Sequence, residues 1–193
     1  MRSTISTITD KWIKKYRPCE EAIEWWDGKG RDLFKILELL IKEKRYDWAN
    51  WLIVRVMNYR QNISYAVFAA EQIIDLFEKK FPDDKRPRQA IEAVRKCIDN
   101  PSKENKERAD EAADEAEDAA YVAEHEAEHA AHAAAYVAAY VAYISAHEVA
   151  DEAYISADTA SGTAYIVAHE AEDEEIRLKI LEYGMKLLEV KNE

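Results

Sequence analysis

His125-Glu126-Ala127-Glu128-His129 has the spacing of a zinc protease: two imidazoles one helical turn apart, with a carboxylate beside the first to act as base. His132 extends this to a candidate metal trio of His125, His129 and His132. The same His-Glu pair returns at His147-Glu148 and His169-Glu170, in the same slots of a repeat, so repetition accounts for the match. No third ligand beside a substrate cleft follows it. The expectation is therefore a solvated polar face, with incidental metal binding as the sharper alternative and no cofactor.

A second cluster is cationic. Lys79, Lys80, Lys85, Arg86, Arg88, Arg95 and Lys96 gather around a helix start at Pro87. Backbone N–H groups and guanidinium forks at such a start make an anion site, so Lys85, Arg86 and Arg88 are candidate ligands for a small phosphorylated molecule. The structural alternative is that Asp83 and Asp84 cap the helix while Arg86 and Arg88 pair with nearby acids.

The aromatic residues form a third set. Trp48 and Trp51 share a helix face with Arg55 one turn on, and Trp25-Trp26 point in different directions on an earlier helix. Trp and Arg are the usual anchors of protein interfaces, although core packing explains a Trp pair equally well. Tyr143, Tyr154 and Tyr165 recur every eleven residues. Trp48, Trp51, Arg55, Tyr143, Tyr154 and Tyr165 are the candidate partner-binding residues. The sequence contains no Gly-rich phosphate loop, no nucleophile elbow and no acid pair in an apolar setting, and it reads as a binding protein without catalytic activity.

These side chains must be positioned by helices. From Ala109 to Glu174 the chain is rich in Ala, Glu, Tyr and His and has no Gly or Pro before Gly162. In rows of eleven, the first slot is Ala120, Ala131, Ala142, Ala153 and Ala164, and the second is Tyr121, His132, Tyr143, Tyr154 and Tyr165. The third is Val122, Ala133, Ile144, Ile155 and Ile166. Eleven residues fill three helical turns at about 3.67 residues each, so the stripe runs nearly straight. The Ala column reads as a seam for a close-packed neighbour, and the Ile column points nearly opposite, so the helix is covered on more than one side.

Along the rest of the chain, capping residues and apolar spacing predict helices over 11–16, 19–26, 33–43 and 48–57. A run opened by Asn62 or Ser64 continues to Lys80, and another runs from Pro87 to Ile98. Ser102 caps the acidic region, and an amphipathic tail from Glu175 to Leu188 packs back on the Trp-rich half. One helix from 102 to 190 would be about 130 Å long, against a radius of gyration of about 16 Å for a compact chain of this size. A hairpin is therefore required. Ser161-Gly162-Thr163 is the obvious place, and a second reversal between Ala130 and Ala150 would be hidden by Ala. The expected fold is all-α: a domain of short helices over 1–100, basic and Trp-rich, and an acidic Ala/Tyr-rich helical hairpin with eleven-residue repeats over 101–193.

Charge divides the chain in the same way. Its 193 residues carry a net charge of −12, yet 18 acids and no Lys or Arg lie between Ala109 and Ile176. All five His are in that segment, and all five Trp precede residue 52. The halves either dock on each other or each recognise something else. Two cysteines, Cys19 and Cys97, are too few for a disulfide scaffold and are expected to be reduced. Met1–Trp12 has no apolar run of a signal peptide, and the uncharged stretch from Ala130 to Ala146 is too short and Ala-rich for a span, so the expected location is cytoplasmic, away from membranes.

Tyr46-Asp47-Trp48-Ala49-Asn50-Trp51-Leu52-Ile53-Val54-Arg55, Tyr65-Ala66-Val67-Phe68-Ala69-Ala70-Glu71 and the run from Phe77 to Ala93 with its Asp84-Lys85-Arg86-Pro87-Arg88 centre resemble one family. So do the Ala/Tyr tract and the Ile180-Leu181-Glu182-Tyr183-Gly184 tail. The resemblance, over almost the whole chain, is to the immunity proteins of bacterial polymorphic toxin systems and prophages. It implies neutralisation of a toxin by direct binding, with the toxin as protein partner; the Glu and His load of the tract departs from the family's plainer Ala and Tyr. Two other readings stand beside it. One is a phage anti-defence inhibitor that binds a host defence protein, mimics nucleic acid, or sequesters a small phosphorylated signal at Lys85, Arg86 and Arg88. The other is a structural protein that self-associates through the Ile144, Ile155 and Ile166 column.

Overall fold

The computed structural model describes residues 6–126, 129–146, 162, 163, 166 and 174–189. Among them all regular structure is helical: α1 (Asp10–Tyr16), α2 (Glu20–Trp26), α3 (Leu33–Lys42), α4 (Tyr46–Val56), α5 (Tyr59–Glu71), α6 (Ile74–Lys80), α7 (Arg86–Asp99), α8 (Lys103–His125), α9 (His129–Ala146) and α10 (Glu174–Glu189). An isolated antiparallel bridge joins Thr7 to Asp32.

The starts of several helices follow from side-chain caps. Thr9 accepts from the Trp12 N–H at 3.2 Å, Asp32 from Lys35 at 3.0 Å and Ser102 from Asn105 at 3.2 Å. Each oxygen satisfies one of the N–H groups that a helix start leaves unpaired. The cap of α5 lies four residues before the first opener expected. Asn58 accepts from the Gln61 N–H while the Gln61 side chain accepts from the Asn58 N–H, a reciprocal capping box. The run expected to continue to Lys80 is broken at Gln72 and Ile73, where no Gly or Pro announces the break.

The chain reverses earlier than expected. α8 ends at His125, α9 starts at His129, and the two form the most extensive helix pair among the described residues. Helices this long, joined by three residues and packed along each other, must run antiparallel. Gly162 and Thr163, expected to break the chain, are helical. Ala explains why no breaker was needed. α8 buries Ala109, Ala113, Ala116, Ala119, Ala120 and Ala123, and side chains this small let α9 approach closely.

α9 is covered on nearly all sides. It lies against α8, α7, α6 and α5, and Ala131, Ala134, Ala138, Val141 and Ala142 are at most 2% exposed. A helix that is apolar around most of its circumference belongs inside a protein. The three Ala of the first repeat slot that are described, Ala120, Ala131 and Ala142, are all buried. The third slot divides, with Val122 exposed on α8 and Ile144 buried on α9. α10 lies against α4 and α5. One continuous core joins Leu33, Leu37, Ile53, Tyr65, Phe77, Ile91, the Ala of α8 and α9, and Ile180.

Candidate functional site

Two surfaces gather the residues singled out by the sequence. The first lies between α2 and α4. Trp48, Trp51 and Arg55 are brought together there with Trp25, Trp26, Ile36 and Leu40 around a cavity of about 550 Å³. The indoles meet at angles: Trp25 and Trp48 are 6.0 Å apart at 69°, and Trp51 meets Trp12 at 5.8 Å and 85°. Edge-to-face pairs of this kind suit the ring quadrupole. Cations stand over the rings: Arg45 is 4.3 Å from the Trp48 ring, Lys29 4.6 Å from Trp25 and Arg55 5.5 Å from Trp51. The Trp25 indole N–H donates to Glu43 at 2.5 Å, and that bond, with help from Arg45, holds the Glu43 carboxyl below its usual range.

The second surface lies on the α8/α9 hairpin. Tyr136, Tyr140 and Tyr143 project from one face of α9 and are 44%, 39% and 49% exposed. Residues three and four apart share a helix face. The Tyr136 and Tyr140 rings stack at 6.1 Å, and His132 stacks on Tyr136 at 6.0 Å. Asp114 and Glu117 of α8 form the other wall of a shallow groove with these tyrosines. Tyr121, the α8 member of the second repeat slot, is 62% exposed. Tyr154 and Tyr165 lie outside the described residues. Repeat phasing pointed to Tyr143 and missed Tyr136 and Tyr140, whose signal is their own spacing of four and three.

The cationic cluster is engaged locally. The Arg86 fork grips Asp84 through contacts of 3.0 and 2.6 Å. The Arg88 fork takes Glu78 at 2.6 and 2.7 Å and also reaches Asp75 at 3.2 Å. Lys85 lies 3.6 Å from Glu78. Each fork is filled by a carboxylate of its own neighbourhood, whereas the N-cap of α7 is Lys85, with no side-chain cap bond. Hydrogen bonds from Arg88 hold the Glu78 carboxyl below its ordinary range, and those from Arg86 do the same for Asp84. Asp118 and Glu115 of α8 add to the field at Arg86. The acidic tract thus faces the basic half at this point.

The histidine pattern does not survive folding. His125 is the last residue of α8 and His129 the first of α9, so their four-residue spacing spans a reversal and is not one turn of one helix. His125 Nε2 instead lies 3.1 Å from the Tyr121 hydroxyl. Among the described residues no three or more His, Cys, Asp or Glu gather closely enough to hold a metal ion.

A family model for Imm-5 like putative immunity protein matches residues 53–182, about two thirds of the chain. The chain belongs to the Imm-5 like immunity protein family. No curated protein and no solved structure matches it. The family stretch contains the whole α8/α9 hairpin and its exposed tyrosines, whereas most walls of the tryptophan cavity precede it. Among the described residues no helix of this immunity-family chain is long and apolar enough to cross a membrane.

Proposed function

We propose that this chain is a non-catalytic immunity protein that neutralises a toxin by direct binding, and that the tyrosine face of α9 is the docking surface. The observation that carries the reading is the row Tyr136, Tyr140 and Tyr143, exposed within the family stretch and flanked by α8 carboxylates. Exposed aromatic groups rimmed by polar residues are the usual mark of a protein interface. Acids at the rim favour a basic partner such as a nuclease toxin. Membership of the family supplies the biological role, and the face supplies the means.

Co-expression with the toxin of the neighbouring gene tests this. Protection and a complex on gel filtration are expected, with both lost in Tyr140→Arg while its melting temperature holds. A chain that neither protects nor forms a complex would overturn the reading. Protection that survives Tyr140→Arg and Tyr136→Arg together would remove the face from it.

A further inference from the structure

A groove between α1 and α2 belongs to neither surface above, and all its walls precede the family stretch. α2 lines the tryptophan cavity through Cys19, Ala22 and Trp25, and turns Ile23, Glu24 and Asp27 onto this groove of about 620 Å³. Ile13 of α1 and Trp26 complete its apolar floor, and Ile23 is 46% exposed. Trp26 is held in place by its indole N–H, which donates to the Gly30 carbonyl at 2.8 Å. A lone exposed Ile needs no explanation, but three apolar side chains from two helices around one groove make a patch.

The charges around the patch specify what covers it. α1 and its end carry Lys11, Lys14, Lys15 and Arg17, whereas α2 and its end carry Glu20, Glu21, Glu24 and Asp27. All eight are exposed, and among the described residues none of them has an ion-pair partner. Arg31 on the groove wall is paired with Asp10, so that pair adds no net charge. A foreign basic segment would suit the acids of α2 and be repelled by the cations of α1, and an acidic segment the reverse. A surface with both signs beside an apolar centre is complementary to itself. A two-fold rotation sets α1 of each copy against α2 of the other, and every contact is made twice. We infer that this groove is the interface of a homodimer, in which the Ile13–Lys14 side of α1 in one copy sits against Ile23 and Glu24 in the other. Each seven-residue helix is about 10 Å long. The interface is therefore at the small end of specific contacts, and the dimer is weak, with a dissociation constant on the order of 100 µM. The tyrosines of α9 contribute nothing to this groove, so the inference does not rest on their role.

Sedimentation velocity of the full chain from about 5 µM to about 1 mM tests this, because mass action shows a weak dimer only at the upper end. A rise from monomer toward dimer is expected, suppressed at about 0.5 M salt, where exposed charges are screened. Lys14→Glu and Glu24→Lys should each weaken the dimer about tenfold, since each sets like charges against each other in both halves of the interface. An equimolar mixture of the two variants should recover it, because both two-fold contacts then again join a carboxylate to an ammonium. Ile23→Asp should abolish association. All three positions are exposed, so folding should hold, and circular dichroism with a thermal melt verifies it. A chain that stays monomeric at about 1 mM would overturn the proposal. So would a dimer that persists in Ile23→Asp, or a mixture of the two charge variants that associates no better than either alone.

Discussion

Gly184 of α10 stands so close to Tyr65 of α5 that a Cβ on it would lie 2.7 Å from the ring carbon Cε2 and 2.9 Å from Ile53 Cγ2. The glycine is what lets α10 settle on α4 and α5. Tyr65 has no room to give way: it is fully buried, its hydroxyl donates to Asn50 at 3.0 Å, and burial keeps that hydroxyl neutral by raising its pKa. Gly184→Ala would gain about 1 kcal/mol of helix propensity, against an overpacking cost of about 1–3 kcal/mol. The clash should win, with a net loss of about 1 kcal/mol in urea unfolding. A more stable Gly184→Ala protein would show that α10 can shift along α5.

The Ala seam makes a similar prediction with a built-in control. Ala116 and Ala138 are both fully buried in the hairpin, whereas Glu111 is exposed on α8. Leu at either seam position should cost about 1–3 kcal/mol, because a close-packed interface has no space for three more carbons. Glu111→Leu should be nearly neutral. Thermal melts of the three variants separate a packing seam from Ala used only for helix propensity, in which case all three would behave alike.

The ion pairs set the acid limb of stability. Glu78 and Asp84 have folded-state pKa values below their ordinary 4.5 and 3.8, mainly through hydrogen bonds from Arg88 and Arg86. A lowered folded-state value means that the unfolded chain binds more protons as pH falls. Their contribution is therefore present in full above the unfolded value and is lost as pH drops through the folded one. Arg88→Ala should cost about 1 kcal/mol near pH 6, since the Arg88 side chain is 37% exposed and solvent screens the pair. The same substitution should cost less below about pH 3.5, where Glu78 is protonated in the unfolded chain. Urea melts at the two pH values measure the difference, and an equal cost at both would mean that Arg88 acts by packing alone.

Much of the fold was legible because its signals are local. Thr9, Asp32 and Ser102 are residue types that cap helices and do so here, and α3 shows its core face through Leu33, Ile36, Leu37 and Leu40. Burial of Ala120, Ala131 and Ala142 follows the first repeat column. What could not be read was where Ala-rich helix stops. The reversal after His125 involves no Gly or Pro, and the change from α8 to α9 is set by what α9 packs against: α5, α6 and α7, all distant in sequence. Gly162, the one visible breaker, is tolerated within helix. The cavity was half legible. Trp48, Trp51 and Arg55 share a face by spacing, but Trp25 and Trp26 join them only through tertiary packing.

If α9 docks a basic toxin, the tyrosines and the α8 acids should act on different rate constants. Asp114 and Glu117 are exposed at the groove wall, where they steer a charged partner through solvent more than they hold it once bound. Asp114→Asn with Glu117→Gln should slow association several-fold at low salt and lose most of that effect near physiological ionic strength, where charges more than about 8 Å apart are screened. Tyr136→Ala and Tyr140→Ala should leave association almost unchanged and speed dissociation, because desolvated aromatic contacts form after encounter. Their stability cost should be small, since both rings are already substantially exposed. Surface plasmon resonance at two salt concentrations reads both effects. An acid pair that alters only dissociation, or tyrosines that alter only association, would place the toxin on a different face of the hairpin.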